Sequence, residues 1–124
     1  MIVLTLSEIN QYRSELANDP EALRALDMIE NCEGDVEDAA IALAIQAGQE
    51  PDRSEHWLEG LAKRWRVFLC QTEFRNALTD GEIATAVQLF AAGTTIPSSL
   101  ATPVILYVLK IGVEDFCKPL GEML

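Results

Sequence analysis

The one histidine of this chain, His56, follows Asp52 by four residues and precedes Glu59 by three. On a helix, those spacings put all three side chains on one face. Two carboxylates and an imidazole gathered in this way, with Glu55 alongside, could hold a single metal ion weakly or centre an enzyme site. A di-iron bundle needs a second Glu-x-x-His pair, which the sequence does not contain. Cys32, Cys70 and Cys117 are an odd number, far apart, with neither CxxC spacing nor a secretory leader before them. That pattern reads as three reduced core thiols in a cytosolic protein, with a disulfide or redox role as the alternative. On a shared helix His56 and Cys70 would stand roughly 21 Å apart, beyond hydrogen-bond reach. Gly34, Gly48, Gly60 and Gly81 occur singly, so no glycine-rich phosphate loop is present. The expectation is a protein with no catalytic residue and no cofactor. A metal protein or enzyme centred on His56, Asp52 and Glu59 is the alternative.

Lys63, Arg64 and Arg66 surround Trp65 and form the one basic cluster, with Arg75 further on. Arginine beside an aromatic suits a protein hot spot or the stacking of nucleic-acid bases. The formal charge of −11 decides between them: residues 1–50 hold eleven acids against Arg13 and Arg24, a balance of −9, and residues 51–124 hold −2. A chain this acidic repels phosphate backbones and anionic lipid over most of its surface. On a helix Arg64 and Trp65 stand about 100° apart, so the first reading is Trp65 in the core and the bases as a solvated face. The alternative is that Lys63, Arg64 and Arg66 bind an acidic protein or the chain's own acidic half, and neither nucleic acid nor membrane. Residues 83–109 carry no charge, but Gly93, Pro97 and Pro103 divide them into pieces too short for roughly 30 Å of hydrocarbon.

The elements that must position these residues read as helices. Nearly half of the 124 residues are apolar, aromatics are few and alanine is abundant, which favours packed helices over a sandwich. Thr5 and Glu8 have capping-box spacing at the head of a helix reaching about residue 17. Asp19 and Pro20 open a second, with Leu23, Leu26 and Ile29 as its buried stripe. Gly34 suits a left-handed cap, and Asp35 an N-cap for a third helix over residues 36–47. That third helix is apolar almost all round, which predicts cover on several sides from both halves of the chain.

After a polar linker at residues 49–56, Trp57, Leu61, Trp65 and Phe68 form one stripe of a fourth helix that either continues to Leu78 or bends near Cys70. Thr79 and Glu82 suggest a second capping box and a helix ended by Gly93. Thr102 and Pro103 read as cap and first turn of a further helix. Pro119 and Gly121 read as stops after one short final turn.

The run from Ala22, Leu23, Ala25 and Leu26 through Gly34, Asp35 and Val36 to Ala40 and Gly48 resembles the ubiquitin-associated three-helix module, as in the N-terminal domain of bacterial elongation factor Ts. The resemblance covers about residues 7–48 and implies a helical fold and a protein-binding module. Where ubiquitin-binding members present an apolar loop after the first helix, this chain has Leu16, Ala17 and Asn18. Their second contact surface corresponds to Ala44, Ile45 and Ala47, which the apolar third helix assigns to the interior.

The architecture expected is all-α: a compact bundle of about six helices in one domain, 1–124, with residues 51–124 packed on the three-helix unit of 1–48. The alternative is α+β, with a small sheet pairing residues 2–6 with the β-branched stretch 104–113. The function expected is a small cytoplasmic, non-catalytic module acting through a protein partner, with a homodimer through the apolar C-terminal half as one form.

Overall fold

The computed structural model describes residues 2–51 and 56–123, the last four by backbone only. Among them are nine helices and no strand: α1 (Leu6–Glu15), α2 (Pro20–Asn31), α3 (Val36–Gln46), α4 (Trp57–Arg64), α5 (Arg66–Leu69), α6 (Thr72–Thr79), α7 (Ile83–Gly93), α8 (Ser98–Ile111) and α9 (Val113–Met123). None is long and apolar enough to cross a membrane.

The first three helices begin where side chains satisfy orphan amides. The Glu8 amide donates to Thr5 Oγ1 at 3.1 Å, and the Thr5 amide donates to Glu8 Oε1 at 3.0 Å, which completes a capping box. Asp19 accepts from the Ala22 amide ahead of α2, with Pro20 at the first helical position, and Asp35 accepts from the Asp38 amide ahead of α3.

The turn between α2 and α3 differs from expectation in one residue. Glu33, at φ 58°, takes the left-handed position, and Gly34 follows at φ 88°. The Gly34 amide donates to Ile29 O at 2.8 Å and the Glu33 amide to Glu30 O at 2.9 Å, the two bonds of a Schellman motif. The N-terminal segment lies against this corner. The Leu4 amide donates to Gly34 O at 2.9 Å and the Val36 amide to Ile2 O at 3.0 Å, while Leu4 is buried. This replaces the sheet considered between residues 2–6 and 104–113: residues 2–4 pair with the corner, and residues 104–111 lie in α8.

The helix enclosed on all sides is α8, where every residue from Leu100 to Val108 is buried. It packs on α2, α3, α4, α7 and α9, and the buried side chains of both halves form one cluster around it. Pro103, read as a first-turn residue, sits in the interior of α8. With no N–H it leaves the Ser99 carbonyl without its intrahelical donor. Neighbouring Thr102 is fully buried, and its hydroxyl has no hydrogen-bond partner.

On α3, Val36, Ala39, Ala40, Leu43 and Ala44 are buried against α2, α8 and α4. Ile45 is 47% exposed and Ala47 is exposed as well. The last turn of α3 therefore reaches beyond its neighbours, contrary to the interior assignment of its apolar end.

The fourth helix, read either as continuous to Leu78 or as bent near Cys70, is three. Trp65 and Cys70 leave helical geometry at ψ 9° and 7°, and these breaks account for part of the excess over six helices. They re-aim the aromatic stripe: Trp65, Phe68 and Phe74 all meet Phe90 of α7, at centroid distances of 6.0, 6.0 and 6.1 Å. A straight rod could not turn Phe68 and Phe74 onto one ring. The expected box at Thr79 is absent, because Thr79 ends α6 with its hydroxyl donating to Arg75 O, and Glu82 heads α7 without a side-chain cap. Pro119 and Gly121 lie within α9 rather than ending it.

Ion pairs brace the first helices on the surface. Arg13 reaches from α1 to Asp27 at 2.9 Å and Glu30 at 3.1 Å on α2, and Lys110 reaches from α8 to Glu8 at 3.3 Å.

Candidate functional site

Asp52 and Glu55 lie outside the described residues, so the geometry of the His56 set is that of His56 and Glu59. His56 Nδ1 is 3.2 Å from Glu59 Oε2, at the start of α4, and the Lys63 ammonium is 2.8 Å from Glu59 Oε1, one turn further on. Glu59 is thus held between two nitrogen partners on its own helix. The Lys63 hydrogen bond, followed by the charges of Lys63 and His56, keeps its carboxyl below the usual range, so it is an ionised acceptor rather than a proton donor. Among the described residues, no group of three or more His, Cys, Asp or Glu side chains is placed to hold a metal ion.

Tyr107 of α8 is buried near this ladder, and burial, with the charges of Glu59 and Glu37 behind it, pushes its phenol up to about 12. It stays protonated at neutral pH, too weak an acid to serve as a neutral-pH general base.

The basic cluster does not present one surface. Lys63 is engaged by Glu59. Arg64 lines a polar cleft of about 370 Å³ with Gln49, Glu50, His56 and Trp57. The guanidinium of Arg66 lies 4.8 Å over the ring of Phe116 on α9, and its Nε is buried without a partner. A four-residue helix, α5, follows the break at Trp65 and sends Arg66 away from its two neighbours in sequence.

The cysteines require a correction. Cys70 and Cys117 form a disulfide, Cα to Cα 5.7 Å, across 47 residues of sequence. Cys32 alone is free. Spacing gave no sign of the pair because the contact is tertiary: Cys70 caps α5 where the chain turns into α6, and α9 folds back onto both helices. Cys32 at the end of α2 is half-buried, and burial, with Asp38 and Asp35 nearby, raises its thiol.

A second cleft, of about 280 Å³, opens between the α5–α6 elbow and α7 and was not legible as a site in the sequence. Phe68, Phe74, Leu89, Ala92 and Gly93 line it, with Gln71 and Glu73. Leu89, in its lining, is 38% exposed, and Val67, which precedes Phe68 in the chain, is 68% exposed. α7 carries no charged residue. One available signal was Leu89, which falls on the same helix as buried Val87 and Phe90 but outside their stripe.

A methyl group on Gly93 would come within 3.0 Å of the Phe68 ring, so glycine at this position lets Phe68 form the cleft wall.

Comparison of the chain with protein-family models, with curated proteins and with solved structures finds no match.

Proposed function

We propose that this protein is a non-catalytic interaction module that associates with a second copy of itself through the face formed by α5, α6 and α7. The observation that carries this reading is the apolar cleft of about 280 Å³ with partly exposed Leu89 in its lining, and exposed Val67 next to the cleft residue Phe68 in the chain. Charge selects the occupant. A chain of net −11, with −9 in its first fifty residues, repels a copy of itself over much of its surface, whereas α7 contributes no charge to the meeting of like faces. Val67, the most exposed large apolar side chain among the described residues, directly precedes the cleft residue Phe68 in the chain. A two-fold axis needs that adjacency if each copy is to seat its protruding side chain in the other, and the cleft volume exceeds that of a valine side chain.

Light scattering on eluting protein over a hundredfold range of concentration tests the proposal. The wild type is expected to move from monomer to dimer mass. Leu89→Glu and Val67→Glu should stay monomeric, because each buries an unpaired carboxylate in an apolar contact. A wild type that remains monomeric at millimolar concentration refutes self-association.

A further inference from the structure

Cys70 stands at the centre of the segment that builds one wall of the cleft: Phe68 precedes it by two residues, and Gln71, Glu73 and Phe74 follow it. The turn is lightly held. The Gln71 amide donates to Phe68 O at 3.2 Å, and Gln71 heads α6 with no side-chain cap. What fixes Cys70 from outside is its bond to Cys117 on α9.

Among its described side chains, α9 has few other anchors. Through Pro119 its buried side chains are Phe116 and Cys117, and Glu114, Asp115 and Lys118 are exposed. Through Pro119 the helix is thus fastened by the Phe116 ring, capped by Arg66 at 4.8 Å, by partly buried Val113 packed against the core, and by one covalent bond.

We infer that the Cys70–Cys117 disulfide is a reducible latch: closed, it holds α9 down and sets the α5–α6 elbow, and opened by a dithiol it releases both and reshapes the apolar cleft. The regulatory half of this inference rests on the proposed reading of that cleft as an association surface.

The exchange balances without further reagents. A thiolate of the dithiol attacks the sulfur of Cys70, the more exposed member of the pair, forming a mixed disulfide and expelling Cys117 as a thiolate that takes up a proton. The second thiol of the reductant then closes on the first, leaving as a cyclic disulfide and returning Cys70 as a thiol. Two electrons and two protons pass to the protein. Arg66, one turn before Cys70, lies over the ring of Phe116, the residue adjoining Cys117, and a positive charge in the neighbourhood of a leaving thiolate favours its departure. Cys32, with its raised thiol, stays protonated and is a poor competitor for either sulfur. In a reducing compartment such a pair works as a switch, and in an oxidising one it stays closed.

The test uses the full chain with Cys32→Ser, so that a gain of two hydrogens by mass reports this disulfide alone. Dithiothreitol at millimolar concentration in native buffer is expected to reduce it. Amide exchange over residues 113–119 and 66–74 should then rise at least tenfold while α2 and α3 keep their protection. A Cys70→Ser, Cys117→Ser double variant, checked for retained helix content, should show the same exchange pattern without reductant. A disulfide that yields only in urea, or reduction that leaves exchange unchanged, overturns the latch and leaves a static cross-link.

The same samples are then weighed by light scattering. A dimer fraction that differs at least threefold between oxidised and reduced protein supports control of the cleft. An equal, non-zero fraction overturns that control while self-association stands. Monomer in both states overturns self-association, and the exchange result alone then judges the release of α9.

Discussion

Gly34→Ala separates the two reasons a glycine is needed. At φ 88° any side chain is strained by about 1 kcal/mol, but a methyl group here would also fall on the carbonyl oxygen of Leu4. Because that carbonyl is backbone, the N-terminal segment must retreat. Retreat breaks the bonds from the Leu4 amide to Gly34 O and from the Val36 amide to Ile2 O, each worth about 1 kcal/mol net. It also exposes the Leu4 side chain, now 4% accessible, at a cost of about 1.5 kcal/mol or more. The expected loss is about 4.5 kcal/mol, a large share of the stability of a chain this size.

Gly48 is the internal control: its φ is 81°, and nothing lies within 4 Å of an added Cβ. Gly48→Ala should lose only the strain, about 1 kcal/mol. In urea the two variants should therefore unfold about 1.5 to 2 M apart. In Gly34→Ala the amides of Leu4 and Val36 should lose protection from exchange. If the two midpoints fall within about 0.5 M of each other, the close approach of Leu4 is not what the glycine serves.

Glu33, a non-glycine residue at φ 58° in the left-handed cap, should be improved by Glu33→Gly, raising stability by up to about 1 kcal/mol in the same urea assay. Thr102→Val keeps the shape and removes a buried hydroxyl that has no partner, so it should stabilise by about 1 kcal/mol; a loss would mean the hydroxyl is bonded in solution. Of the two tyrosines, Tyr12 is shifted upward by burial and Tyr107 to about 12. Absorbance at 295 nm should therefore show neither ionising at the ordinary tyrosine value of about 10 while the fold persists. The unfolded chain releases the Tyr107 proton first, so stability should be intact below pH 10 and fall as pH rises toward 12, by at most about 3 kcal/mol. At the acid end, the Thr5 amide holds the Glu8 carboxyl below 4.5, and Lys63 does the same for Glu59. Their contributions are present above that value and are lost as pH falls through the depressed ones, seen as an acid-side decline in thermal midpoint.

Local chemistry was the legible part of the fold. Thr5 with Glu8, Asp19 with Pro20, and Asp35 each announce a helix start through residues three or fewer apart, and each forms in the structure. Interactions settled at long range were misjudged. α3 and α8 are both rich in apolar residues, and only the arrangement of the other helices decides that Ile45 faces water while Leu100 to Val108 are enclosed. The bend near Cys70, one of two readings of the fourth helix, forms, whereas the break at Trp65 was not foreseen; both let three rings reach Phe90, a demand that a stripe drawn on a straight helix does not show. The cysteine pair was missed for the same reason. Of the candidate residues, Glu59 with His56 and Lys63 could be paired from spacing alone. The cleft between the elbow and α7 could not, because Phe68, Phe74 and Leu89 come from three helices whose meeting no local signal encodes.

The central place of α8 has a consequence for synthesis. The inward faces of α2 and α3 are finished by residue 46, yet the helix that roofs them ends at residue 111. At ribosomal speeds of roughly 5–20 residues per second, those greasy surfaces wait several seconds for their lid. Until it emerges, the nascent chain is a natural client for a holding chaperone, and a ribosome stalled before residue 98 would present a sticky, unfinished protein to the cell.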